Sequence, residues 1–148
     1  MLALREAMCL VALYTEGAAI EAIACVMQRD VRTVRKILRQ AGAVLRQDTP
    51  LPTDWWTGIP PAARATLQTY FTDLGQRQQA AWHQVEQQAV TVTADTYVLH
   101  TPTAYAAVWH TAQPSETLPA LARRLGLDLT AVLLAYVAWR DTQETHHP

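Results

Sequence analysis

The stretch Ile20-Glu21-Ala22-Ile23-Ala24-Cys25-Val26-Met27-Gln28-Arg29-Asp30-Val31-Arg32-Thr33-Val34-Arg35-Lys36-Ile37-Leu38 decides the reading of this chain. Ile20, Ile23, Ala24 and Met27 recur at helical spacing and predict a short helix over 19–27. Asp30 then stands where a helix N-cap belongs, because its carboxylate can accept from free amide groups two or three residues on. Val31, Val34, Ile37 and Leu38 give the following helix its inner face, and Gly42 closes it. With those positions turned inward, Arg32, Thr33, Arg35, Lys36, Arg39 and Gln40 must point elsewhere.

Before this stretch, residues 2–15 read as a helix with Leu4, Ala7, Met8, Val11 and Ala12 as its stripe and Gly17 at its end. Three helices therefore precede residue 46. Cys9 and Cys25 both lie in apolar helical sequence and are expected to be small buried hydrophobes. Two thiols do not make a structural zinc site, and His83, His100, His110, His146 and His147 stand at no ligand spacing to them. No metal and no cofactor are expected.

The spacing Ile23-Ala24-x-x-Met27-Gln28-Arg29-Asp30-x-x-Thr33-Val34-x-x-x-Leu38 resembles the helix-turn-helix signature of DNA-binding domains. Ala24 is the small residue where the two helices cross, and Asp30 opens the second. The wider stretch over 4–46, under a third of the chain, is similar to the homeodomain-like units at the ends of resolvases and in many transposases. Two residues depart from that pattern. Gln28 stands where the tight turn usually has Gly, so either it takes positive φ at some strain or the turn is wider. Arg29 replaces a commonly apolar residue. The resemblance implies a DNA-binding domain over 1–46.

Charge points the same way independently of the family. The whole chain carries 12 Lys+Arg and 13 Asp+Glu, a net charge of −1, so no global field drives it to nucleic acid or membrane. The distribution is uneven. Arg29, Arg32, Arg35, Lys36, Arg39 and Arg46 face only Asp30 within 29–46, whereas acids outnumber cations over 49–148. A helix with one apolar seam and an otherwise cationic surface suits the major groove. Residues early in such a helix reach the bases, so Arg32, Thr33 and Lys36 are expected to read sequence. Arg29, Arg35 and Arg39 are expected on phosphates, with Gln40 in the same set. Arg46, just past the helix, is placed to enter a minor groove like a recombinase arm.

Beyond 46 the chain reads as a linker over 47–60, with Pro50, Pro52, Gly58 and Pro60 excluding regular structure. Trp55 and Trp56 within it either pack onto a domain face or form an exposed anchor for a partner. From Pro61 to Ala89 an apolar stripe runs Leu67, Tyr70, Phe71, Leu74, Ala81, Trp82, Val85, Ala89. It reads as one long helix or as two kinked at Gly75, packed within the monomer or serving as a dimer seam. Residues 90–100 are β-branched and read as a short strand. A helix over 102–112 follows, then one capped by Thr117 that stops at Gly126, and a last one from Asp128 to about 141.

The decisive spacing returns near the end. Leu121-Ala122-x-x-Leu125-Gly126-Leu127-Asp128-x-x-Ala131-Val132-x-x-x-Tyr136 matches the first unit at an offset of 98. Its outward positions differ: Thr130, Leu133, Leu134 and Val137 stand where the first unit has Arg32, Arg35, Lys36 and Arg39. Such a surface loses by facing phosphates. This unit is therefore a core hairpin or an oligomer interface, with DNA contact through Arg123 and Arg124 as the remaining reading.

The expected fold is all-α: a three-helix unit over 1–46, a Pro/Trp linker, a helical oligomerisation or interaction domain over 61–143, and a tail over 144–148. The expected function is sequence-specific binding of double-stranded DNA by a small transcriptional regulator acting as a homodimer, with the C-terminal helices offering a surface to a protein partner. The alternative is a non-catalytic DNA-binding adaptor of a mobile-element or phage machine. Enzymatic activity is not expected. Ser115 is the one serine, and Asp54, Asp73, Glu86 and Asp95 form no cluster suited to metal-assisted chemistry. No apolar run of about 18 residues exists to span a membrane, and Glu6 in a start without a basic region argues against a signal peptide. The expected location is the cytoplasm, at the nucleoid.

Overall fold

A computed structural model describes residues 4–47, 51, 53–92 and 102–145. Among them the chain is all-α, with seven helices: α1 (Leu4–Thr15), α2 (Ile20–Met27), α3 (Val31–Gln40), α4 (Pro61–Val92), α5 (Pro102–Ala112), α6 (Leu118–Leu125) and α7 (Leu129–Thr145). No strand occurs among the described residues. None of the helices is long and apolar enough to cross a membrane. The tail from 146 and most of the expected strand, 93–100, lie outside the described residues.

Local chemistry accounts for the two helix pairs. In each pair the first helix has eight residues, ends in a left-handed residue, and hands over to an Asp-capped helix. Gln28 takes φ 55°, and its counterpart Gly126 takes φ 68°. The two turns make matching hydrogen bonds. Arg29 N donates to Ala24 O at 3.0 Å, and Leu127 N donates to Ala122 O at 2.9 Å. Asp30 accepts from Thr33 N at 2.7 Å, while Asp128 accepts from Thr130 N at 2.8 Å. The offset of 98 is thus a repeat of backbone geometry. Of the two alternatives open at Gln28, positive φ is the one adopted.

The core is one continuous apolar cluster running from Cys9 to Tyr136. The expected boundary between 1–46 and 61–143 does not divide it, because α1 packs against α5 and α2 against α7. Ile23, Met27, Val34, Leu38 and Leu121 are buried in it, as their spacing predicts. Trp109, Tyr136 and Phe71 fill its centre, with ring centroids 5.1 Å apart for Trp109–Tyr136 and 5.5 Å for Phe71–Tyr136. Helix α7 also holds both ends of α2. Ala19 N donates to Thr130 Oγ1 at 2.9 Å, and Arg140 donates to Cys25 O at 3.2 Å and to Val26 O at 3.3 Å. Those groups lie at helix ends, where backbone donors and acceptors lack intrahelical partners.

Three expectations need correction. The inner face of α1 is Glu6, Cys9, Leu10, Leu13 and Tyr14, whereas Met8 is 55% exposed and Ala12 lies outside. The expected stripe left out Glu6. It is fully buried because Arg29 neutralises it. Cys25 is exposed, since it falls on the outer side of α2, while Cys9 is buried as expected. Finally, α4 continues to Val92, into the stretch read as a strand. No Gly or Pro interrupts 76–92, and extending a formed helix costs far less than ending it and starting another element.

The open choice at Gly75 resolves as a single helix. A Cβ at Gly75 would stand 2.7 Å from the Trp139 ring. Glycine therefore makes room for an indole there and makes no kink. The Trp55-Trp56 segment folds back onto the domain. Ile59 is buried, Trp55 packs half-buried against the core, and Trp56 remains 37% exposed with the Arg64 guanidinium 5.9 Å from its ring.

Candidate nucleic-acid interface

Helix α3 presents two opposed faces. Val34, Ile37 and Leu38 are buried against α1 and α2. Arg32, Arg35, Lys36 and Arg39 are exposed and follow the i, i+3, i+4, i+7 rule, so they form one stripe along the helix. Among the described residues, none of the four has an ion-pair partner within 4 Å. Thr33 is half-buried and Gln40 exposed, both at the margin of this stripe. Only α1 and α2 make extensive contacts with α3, so the stripe faces outward uncovered by the C-terminal helices.

The start of α3 is fixed by its cap. The Asp30 carboxyl is held below the usual carboxylate range, chiefly by the Thr33 backbone N–H and also by the nearby charge of Arg32. The cap keeps the first turn closed where Arg32 and Thr33 emerge.

Two of the expected DNA contacts are engaged inside the chain. Arg29 grips Glu6 through two hydrogen bonds, its Nη2 reaching Oε2 at 2.9 Å, and the Glu6 carboxylate is fully buried. Arg46 lies with its guanidinium 3.7 Å over the Tyr14 ring and donates to Tyr14 O at 2.9 Å and Ala18 O at 2.6 Å. Its backbone N also donates to Tyr14 Oη at 2.7 Å. Arg29 therefore locks the turn to α1, and Arg46 pins the segment after α3 across the end of α1. Both guanidiniums thus have partners within the chain, Arg29 half-buried and Arg46 exposed, which counts against the phosphate and minor-groove roles expected for them.

Glu6 is the residue that sequence reasoning missed. The available signal was Arg29 itself, a cation at a turn position that is commonly apolar and that therefore needs a partner.

In the second unit the four outward positions have gone inside. Leu133 is fully buried, Thr130 is buried, and Leu134 and Val137 are half-buried. They pack within the chain, which selects the core hairpin among the readings left open. Arg124 holds Glu116 at 2.8 and 3.0 Å, and Arg123 pairs with Glu16. The Glu116 carboxyl lies below its ordinary range because Arg124 donates to it.

Among the described residues no group of three His, Cys, Asp or Glu side chains is gathered as a metal site. Compared with family models, with curated proteins and with solved structures, the chain matches none.

Proposed function

We propose that the protein binds double-stranded DNA by laying α3 in the major groove and acts as a small sequence-specific transcriptional regulator. The observation that carries this reading is the unpaired stripe Arg32-Arg35-Lys36-Arg39 on a helix whose opposite face is seated in the core. Four aligned cations without protein partners repel one another, and a polyanion relieves that repulsion. Arg32, Thr33 and Lys36 contact base edges. Arg35 and Arg39 contact phosphates, and Gln40 borders them.

Among the described residues there is one such helix, because α7 is committed to the core. One helix covers one half-site, so specific recognition calls for two copies on a duplex with half-sites about 34–36 Å apart.

Selection of bound duplexes from a random library tests the proposal, and an enriched palindrome is the expected result. On that duplex, Arg32→Ala and Lys36→Ala each weaken binding by about 1–3 kcal/mol and relax preference at a base position. Wild-type affinity in both variants at matched salt would refute the assignment of α3 as the reading helix.

A further inference from the structure

A cavity of about 690 Å³ lies beside the interface, between the outer side of α2, the segment after α3 and the first turns of α7. Small-molecule sites span roughly 300–1,000 Å³. Ala22, Leu45 and Leu134 line it with hydrocarbon, and Trp55 adds an aromatic wall. That ring is held in place by its edge-on contact with Trp56, at 5.9 Å between centroids. Of the three charged side chains that line the same cavity, Arg46 is held by Tyr14 O and Ala18 O, which leaves Glu21 and Arg35, of opposite charge. Among the described residues, neither forms an ion pair with the other or with any third group. Both are exposed, so water solvates them and each is free to meet a ligand group of opposite charge. Held apart, they match a ligand that carries both signs and an apolar body.

We propose that this cavity binds a small amphipathic zwitterion, of the class of a free amino acid or short peptide with an apolar side chain. Its carboxylate meets the Arg35 guanidinium, whose planar fork suits that group. Its ammonium meets Glu21, and its side chain lies against Trp55 and Leu134. The regulatory consequence rests on the DNA reading above. One guanidinium cannot serve a ligand carboxylate and a DNA phosphate together, so ligand and DNA oppose each other, each weakening the other by the same factor.

The molecule carries its own reporter. The Cys25 thiol is exposed and lines this cavity, whereas Cys9 is buried and its thiol is pushed up to about 12, chiefly by burial. Iodoacetamide therefore modifies Cys25 selectively. The test is the rate of that modification on the full chain with L-leucyl-L-tryptophan as probe. The expected result is saturable slowing, about tenfold when the probe exceeds its dissociation constant about tenfold. The N-acetylated and C-amidated probes should each protect far less. Glu21→Gln should abolish the discrimination against the acetylated form, and Arg35→Gln that against the amide, with helicity by circular dichroism confirming that both variants fold. No protection, or equal protection by the blocked probes, overturns the site. Protection that leaves the affinity for the selected duplex unchanged overturns the antagonism. A protein that binds no duplex at all would refute the DNA reading, and the Cys25 measurement would still decide the cavity.

Discussion

Arg29 shows how much one side chain's partner changes its meaning. By sequence it belongs to a cationic run, and a run of arginines reads as a phosphate-binding surface. In the structure it is the counterion of a carboxylate with no solvent exposure. Removing one member of a buried pair leaves the other charged and uncompensated, at a cost of roughly 3–5 kcal/mol. Arg29→Ala should therefore lower the urea midpoint strongly. In the fraction that stays folded, the slope of log affinity for DNA against log salt should be unchanged. A phosphate contact would instead reduce that slope by about 0.9. Glu6 was illegible for a physical reason: a periodicity argument assigns charged residues to water, and only the three-dimensional approach of Arg29 makes burial tolerable. The same error rotated the predicted face of α1, which took in Met8 and left out Leu10 and Leu13, whereas the structure exposes the first and buries the other two.

At the scale of elements, the turn between α2 and α3 was legible in detail. The cap at Asp30, the inner residues of both helices and the conformational demand at position 28 all follow from local rules, and local rules hold wherever the neighbours are sequence neighbours. Gln28 meets the demand at φ 55°, where a side chain crowds the backbone and glycine does not. Gln28→Gly should raise the thermal midpoint, with a gain on the order of 0.5–1 kcal/mol, measurable by calorimetry. The cap adds a pH dependence. Its folded-state carboxyl lies below the ordinary value, so its contribution is present in full above that ordinary value and fades as pH falls through the folded one. The difference in melting temperature between wild type and Asp30→Ala should accordingly shrink on acidification below the usual carboxylate range. Helix α4 was less legible. A β-branched tail pointed to a strand, while the helix simply continued to Val92.

For the molecule as a whole, the predicted division into two domains was replaced by one core. Composition marks 47–60 as a connector. A connector does not keep its flanks apart, however, and the apolar surface of α7 found α2 of the first unit. That pairing depends on contacts distant in sequence, which no local pattern encodes. Leu133 of α7 is fully buried in the common core. Leu133→Ala should destabilise the protein by about 2–5 kcal/mol and should do so in a single cooperative transition seen alike by tryptophan fluorescence and circular dichroism. Two separated transitions would mean that the units fold independently.

The two turns with matching geometry carry a last consequence. A scaffold present twice needs only one copy to meet an outside partner, and the other is then released to accumulate leucine and valine. Its reward is rigidity for the first copy, whose first helix, α2, it grips at each end through Thr130 and Arg140. Grafting arginines onto α7 would accordingly produce no second exposed cationic stripe. It would dissolve the support on which the first one stands.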